Sequence, residues 1–264
     1  MIDLEKRKYD EHCENIISNI LNEHFYKEPG ITLFERVTNK QLQINGVDTL
    51  FSLNGKNYVV DEKAAIRWVG LKTFALELSF LGKDDQVRNG WLLDKTKKND
   101  YFVFVWINEL NHETIQDISS IKNIDVALVS KEKIINHLSS LGWTLERLHE
   151  KDYQIRNCDK PNMGNINKNG CKFSFSKHLK EQPINILLPK ETYIELAEIY
   201  KLKSCNTYIE DANIVIKNMF IAHTAMAQIG ELKNIVPWII VENAKKQSMM
   251  HFQRFLKDIL IKWN

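Results

Sequence analysis

Two residues, Asn54-Gly55, constrain this chain more than any others. They stand between the β-rich runs 48–53 and 56–63. Asn-Gly in that setting is the strongest short-range sign of a two-residue hairpin, because both residues tolerate positive φ. Such a turn fixes the register: Leu53 faces Lys56, and counting outward brings Asp48 opposite Asp61 and Gly46 opposite Lys63. Directly opposed residues share a face, so two carboxylates and an ammonium meet on a face that otherwise carries Leu42, Ile44, Leu50 and Val59. Like charges opposed in a ladder are destabilising, and a divalent cation offsets them, because hard cations take carboxylate oxygens. An exposed hairpin with solvated charges is the plainer reading. It leaves two opposed acids between apolar neighbours unexplained.

An Asp at the end of one strand, followed across a hairpin by Asp61-Glu62-Lys63, resembles the active-site motif of the PD-(D/E)XK nucleases, the restriction-endonuclease-like superfamily. Gly46-Val47 precede Asp48 where many members have Pro or another small or apolar residue. The resemblance covers about residues 5–150 and implies a mixed α+β fold: a central mixed sheet flanked by helices. It also implies phosphodiester hydrolysis, with Mg²⁺ or Mn²⁺ held by Asp48 and Asp61 and with Lys63 polarising the attacking water or stabilising developing charge. Members often add an acid from a helix before the first strand, which points here to Glu14, with Glu11 one turn away. A further ligand or water-positioning group sometimes comes from the third strand, which points to Glu77; its alternative is an acid balanced by Lys72 or Lys83.

Along the chain, residues 3–26 carry Ile16, Ile17, Ile20, Leu21 and Phe25 at helical spacing, and Pro29-Gly30 ends the pattern. A first strand spans 33–53 with a break near Thr38-Asn39, Gln41 and Gln43 alternating with Leu42 and Ile44. The second strand, 57–66, puts Asp61 and Lys63 on one face and Glu62 on the other, which argues against Glu62 as a ligand. A third strand, 73–80, places Glu77 between the small residues Ala75 and Ser79. Residues 84–99 form a loop or short helix whose Lys95, Lys97 and Lys98 are candidates for nucleic-acid contact. The apolar run 101–107 predicts a central strand. Another strand at 124–129 leads through Ser130 as N-cap into a helix over 131–141, stopped by Gly142.

Periodicity weakens beyond residue 150, so we divide the chain into a nuclease-like core, 1–150, and a mainly helical C-terminal extension, 151–264, a candidate for nucleic-acid contact or oligomerisation. Residues 158–170 are turn-rich; 172–175 and 184–188 read as strands, 190–200 as a helix, and the chain from Ile214 as helical. The stripe Met249, Phe252, Leu256, Ile259, Leu260 and Trp263 fits core packing first and a dimer interface second.

Composition narrows the function classes. Residues 1–150 hold 19 Lys+Arg against 23 Asp+Glu, and 151–264 hold 17 against 11, so a slightly basic second half could supply phosphate contacts. No 18-residue apolar run or signal-like N-terminus occurs, so the expectation is a cytoplasmic protein with no membrane partner. Cys13, Cys158, Cys171 and Cys205 form no CxxC pair, and Cys158, Cys171 and His178 match no zinc template. The expected function is a metal-dependent DNA endonuclease; RNA stays open, since the metal chemistry does not choose the sugar. A homodimer is expected by resemblance only. The alternatives are a catalytically inactive nuclease-like nucleic-acid-binding protein and a structural or interaction protein.

Overall fold

The computed structural model describes residues 2–158 and 171–204. The Asn54-Gly55 turn forms as the sequence predicts, with φ of 51° and 82°, and joins β2 (Thr49–Leu53) to β3 (Lys56–Ala65). Their register runs from Leu53↔Lys56 to Thr49↔Val60. Asp48, one residue beyond, donates its N–H to Val60 O at 2.8 Å and so stands next to Asp61 at the open end of the ladder.

Upstream, the predicted first strand is not one strand. It divides into β1 (Ile31–Arg36), which pairs with β2, and a single helical turn, α2 (Lys40–Ile44). The Asn39 side chain accepts from the N–H groups of Gln41 and Leu42. A cap of this kind outcompetes an extended backbone at the break. Leu42 and Ile44 therefore lie off the hairpin face, and Ile44 is exposed. Gly46 is not opposite Lys63 either: it ends α2 in the left-handed region at φ 78°, its N–H donating to Gln43 O at 2.9 Å.

Among the described residues the main sheet has the order β1-β2-β3-β6-β7-β10, with β6 (Tyr101–Leu110), β7 (Ile121–Ser130) and β10 (Ile199–Ser204). The β3/β6 pair is parallel and the others antiparallel, so the sheet is mixed, as expected. The helix α1 (Ile2–Ile20), extended by a π-turn over Leu21–Phe25, packs Ile17, Ile20 and Phe25 against Val60, Val103 and Val105 on one face. The run from Tyr101 to Ile107 is buried on both faces, sending Phe102, Phe104 and Trp106 into the opposite layer.

That second layer contains a separate antiparallel sheet, β5-β4-β9-β8, built from β4 (Thr73–Leu81), β5 (Val87–Asn89), β8 (Lys172–Phe175) and β9 (Ile184–Pro189). The third strand, β4, thus leaves the main sheet, where β6 already occupies the free edge of β3. Its Phe74 packs on Phe104 and Trp106, with ring centroids 4.8 and 5.4 Å apart. Helices α3 (Lys131–Ser140), α4 (Leu145–Asn157) and α5 (Lys190–Leu196) contribute Ile134, Leu138, Leu148, Ile155 and Tyr193 to the same core. Ser130 caps α3, and Gly142 follows it at φ 86°. Thr144 caps α4, a helix that the hydrophobic pattern does not reveal.

The main sheet does not end near residue 150. Strand β10 pairs with β7 from Ile199↔Leu128 to Ser204↔Asn123, where the sequence suggests a helix running to Tyr200. Residues Met1–Asn206 group as one compact unit. Buried Lys190 ties this junction together: it forms an ion pair with Asp125 and donates to Asn108 Oδ1 at 2.7 Å, while Tyr200 donates to Asp125 Oδ1 at 2.8 Å. Cys13 and Cys171 are buried, and Cys158 is exposed. No helix of the described residues is long and apolar enough to cross a membrane. The turn-rich segment 159–170, Cys205, and the helical and apolar-stripe expectations for 214–264 lie outside the described residues.

Candidate active site

The hairpin brings Asp48 and Asp61 together at the point where β2 begins. Asp61 is only 2% exposed, and Asp48 is half-buried. Asp61 Oδ1 is in an ion pair with Lys63 Nζ, whereas Asp61 Oδ2 is buried without a hydrogen-bond partner. Asp48 Oδ2 accepts the Glu62 N–H at 2.8 Å. Burial, and after it the Asp61 charge, pushes the Asp48 carboxyl up to about 7. Once Asp48 is ionised the Asp61 charge opposes it, and Lys63 pairs with only one of the four carboxylate oxygens.

Lys63 is held from a second side. Its ammonium lies 5.4 Å from the centroid of the Trp91 ring, a cation–π distance. Trp91 is carried by a turn that presses onto β4, with Gly90 N–H donating to Leu78 O at 2.7 Å. A Cβ on Gly90 would stand 2.4 Å from Glu77 O, so only glycine permits this approach. The same turn directs the Trp91 backbone N–H, not its indole, toward the Glu77 carboxylate. Burial raises the Glu77 carboxyl, and the Trp91 N–H and Lys63 act against that rise.

Glu14 stands exposed on α1. Its carboxyl is raised by the surrounding protein and by Asp10, with Lys63 opposing, so Lys63 lies within electrostatic reach of Glu14 as well as of Glu77. Glu11 instead pairs with Arg7 at 3.4 Å. Among the described residues no three His, Cys, Asp or Glu side chains converge as a ready ligand group. The four expected carboxylates are therefore arranged as one close pair, Asp48 and Asp61, with Glu77 and Glu14 around Lys63. Glu62 points to the opposite face, as alternation predicts, accepting from Tyr26 OH at 2.7 Å and from Arg36 at 2.9 and 3.0 Å.

The lysines expected to meet nucleic acid divide. Lys95 and Lys98 are exposed, whereas Lys97 is half-buried and donates to Ile44 O at 2.6 Å, fastening the 91–99 loop to α2. Lys131, at the start of α3, is a half-buried cation that sequence reasoning missed: burial lowers its pKa, while Asp94 and Asp61 act to raise it. Only the register reveals it. The Val59 carbonyl accepts from Asp100 N–H at 3.1 Å and the Asp100 carbonyl from Lys131 N–H at 2.8 Å, so this row of bonds runs from β3 to α3. Asn99, 3% exposed, was also missed; it looks like an ordinary loop residue in the sequence.

The donor set suits a small hard cation. Both Asp48 and Asp61 offer carboxylate oxygens, one of them an orphaned buried acceptor, and neutralising the pair removes a repulsion that the fold otherwise carries. Comparison with family models, with curated proteins and with solved structures gave no match.

Proposed function

We propose that this chain is a metal-dependent phosphodiesterase of the restriction-endonuclease-like kind, acting as a DNA endonuclease. One observation carries the reading: buried Asp61 and half-buried Asp48 meet at the end of the β2/β3 ladder, with a lysine paired to Asp61 at strand spacing i, i+2. Asp48 and Asp61 would hold Mg²⁺ or Mn²⁺, which when bound supplies a nucleophilic water at neutral pH and charge neutralisation at the phosphate. Lys63, fixed between Asp61 and the Trp91 face, stabilises negative charge developing on the phosphoryl oxygens. Glu77, steadied by the Trp91 N–H, orients water at the edge of the site, and Glu14 adds negative potential from α1. Exposed Lys95 and Lys98, with Lys97 and Lys131 nearer the carboxylates, line an approach for a polyanionic backbone.

The test is cleavage of a panel of plasmid, branched and single-stranded DNA, with RNA added, in Mg²⁺ or Mn²⁺. Wild type is compared with Asp61→Ala and Lys63→Ala. Metal-dependent cutting that both substitutions abolish is the expected result. Cutting that survives Asp61→Ala, or that proceeds equally well in excess chelator, refutes the assignment.

A further inference from the structure

Among the described residues, the only buried side-chain oxygens lacking a hydrogen-bond partner are Asp61 Oδ2 and Asn99 Oδ1. Both face the same point. A Cβ built on Gly46 would stand 2.9 Å from Asn99 Oδ1 and 3.4 Å from Asp61 Oδ2, so the two oxygens are no farther apart than those distances added. Gly46 leaves this space open because it has no side chain, and its φ of 78° suits glycine.

The orientation of the Asn99 amide is fixed. Its Nδ2 donates to Tyr101 O at 3.1 Å, and turning the amide over would set one carbonyl oxygen against another. Oδ1 is thereby aimed at Gly46 and Asp61. A carboxylate oxygen and an amide oxygen are both acceptors, so neither satisfies the other. Of the nearby ammonium groups, Lys63 is on Asp61 Oδ1 and Lys97, whose Cδ lies 3.3 Å from the same built Cβ, donates to Ile44 O, while the Lys131 charge acts on Asp61 without a hydrogen bond to Oδ2. What fits between two buried hard oxygens is a group that attracts both, and carboxylate with amide oxygen is a donor set that Mg²⁺, Mn²⁺ and Ca²⁺ accept.

We propose that Asn99 is a neutral oxygen ligand of the divalent cation, completing with Asp61 and Asp48 a site whose third member comes from the loop before β6. This inference rests on the metal-dependent reading above. It assigns the 91–99 loop a direct part in holding the ion.

The experiment is Mn²⁺ titration of the full chain, following the free-ion signal by electron paramagnetic resonance, for wild type, Asp61→Asn, Asn99→Ala and Asn99→Asp. Thermal melting in EDTA is recorded alongside as a check of the fold. Wild type is expected to bind Mn²⁺, Asp61→Asn to lose it, and Asn99→Ala to bind roughly 10- to 100-fold more weakly. Asn99→Asp, which keeps an oxygen at that position and adds charge, binds more tightly than wild type; if Asn99→Ala does not fold, this variant decides alone. Wild-type affinity in Asn99→Ala, or in Asn99→Asp when it stands alone, overturns the role of Asn99 and leaves the metal reading standing. A wild-type protein that binds no Mn²⁺ overturns both.

Discussion

Replacing Asp48 by Asn should make the metal-free protein more stable at pH 8 and change it little at pH 4. The folded-state pKa of Asp48, about 7, lies above its ordinary 3.8, so the folded protein prefers the protonated carboxyl. The cost is absent below pH 4, grows as pH rises from about 4 to about 7, and is constant above that. At about 1.4 kcal/mol per pH unit, the interval from 3.8 to about 7 amounts to about 4 kcal/mol at pH 8. Asn carries no charge and keeps an oxygen to accept the Glu62 N–H that Asp48 now binds at 2.8 Å. Urea unfolding in EDTA at pH 4, 6 and 8 reads the difference directly. We expect Asp48→Asn to exceed wild type by up to about 4 kcal/mol at pH 8, with the gain shrinking below about 1 kcal/mol at pH 4. A difference that does not vary with pH, or a wild type more stable at pH 8, would refute the claim that burial and the Asp61 charge together penalise an ionised Asp48. Saturating Mn²⁺ should reverse the order, because only the wild-type pair gains from the ion.

Two further substitutions test the supports of the site. Gly90→Ala drives a Cβ to 2.4 Å from the Glu77 carbonyl, and should cost about 2–3 kcal/mol of stability by urea unfolding while releasing the Trp91 ring, seen as a change in its fluorescence. Glu62→Ala removes the acceptor of Tyr26 and Arg36 and should cost about 2–4 kcal/mol, yet leave Mn²⁺ affinity within about threefold of wild type, since Glu62 lies on the far face; a large loss of affinity would place it in the site.

The centre of the candidate site was legible because it rests on local rules. Asn54-Gly55 fixes a turn, the turn fixes a register, and alternation then sets Asp61 and Lys63 against Asp48 with Glu62 turned away. Capping made α3 legible too, since Ser130 and Gly142 mark its ends. What escaped depends on distant partners. Nothing local in residues 73–81 tells which sheet they join; that is decided by β6 taking the edge of β3 and by Phe74 finding Phe104 and Trp106. The turn α2 was hidden because Leu42 and Ile44 alternate with glutamines as a strand would, and one Asn39 cap overrides so short a pattern. Asn99 and Lys131 are unremarkable in sequence. They acquire meaning only from the Gly46 bend and from hydrogen bonds that continue the sheet beyond Tyr101.

Strand β10 has a consequence for how the protein is made. The ribosome delivers β7 long before the segment that pairs with it, Ile199–Ser204, and β4 waits similarly for Ile184–Pro189. Until then the nascent chain exposes an unpaired edge along β7 and an uncovered apolar side on Phe102, Phe104 and Trp106, both open to pairing with other chains. The hairpin with its two acids can form early, since its contacts are local, but the core that Phe102, Phe104 and Trp106 enter can close only when β9 and Tyr193 have left the exit tunnel. Slow translation downstream of β7 would lengthen that vulnerable interval, and a ribosome stalled there would hold a half-built protein.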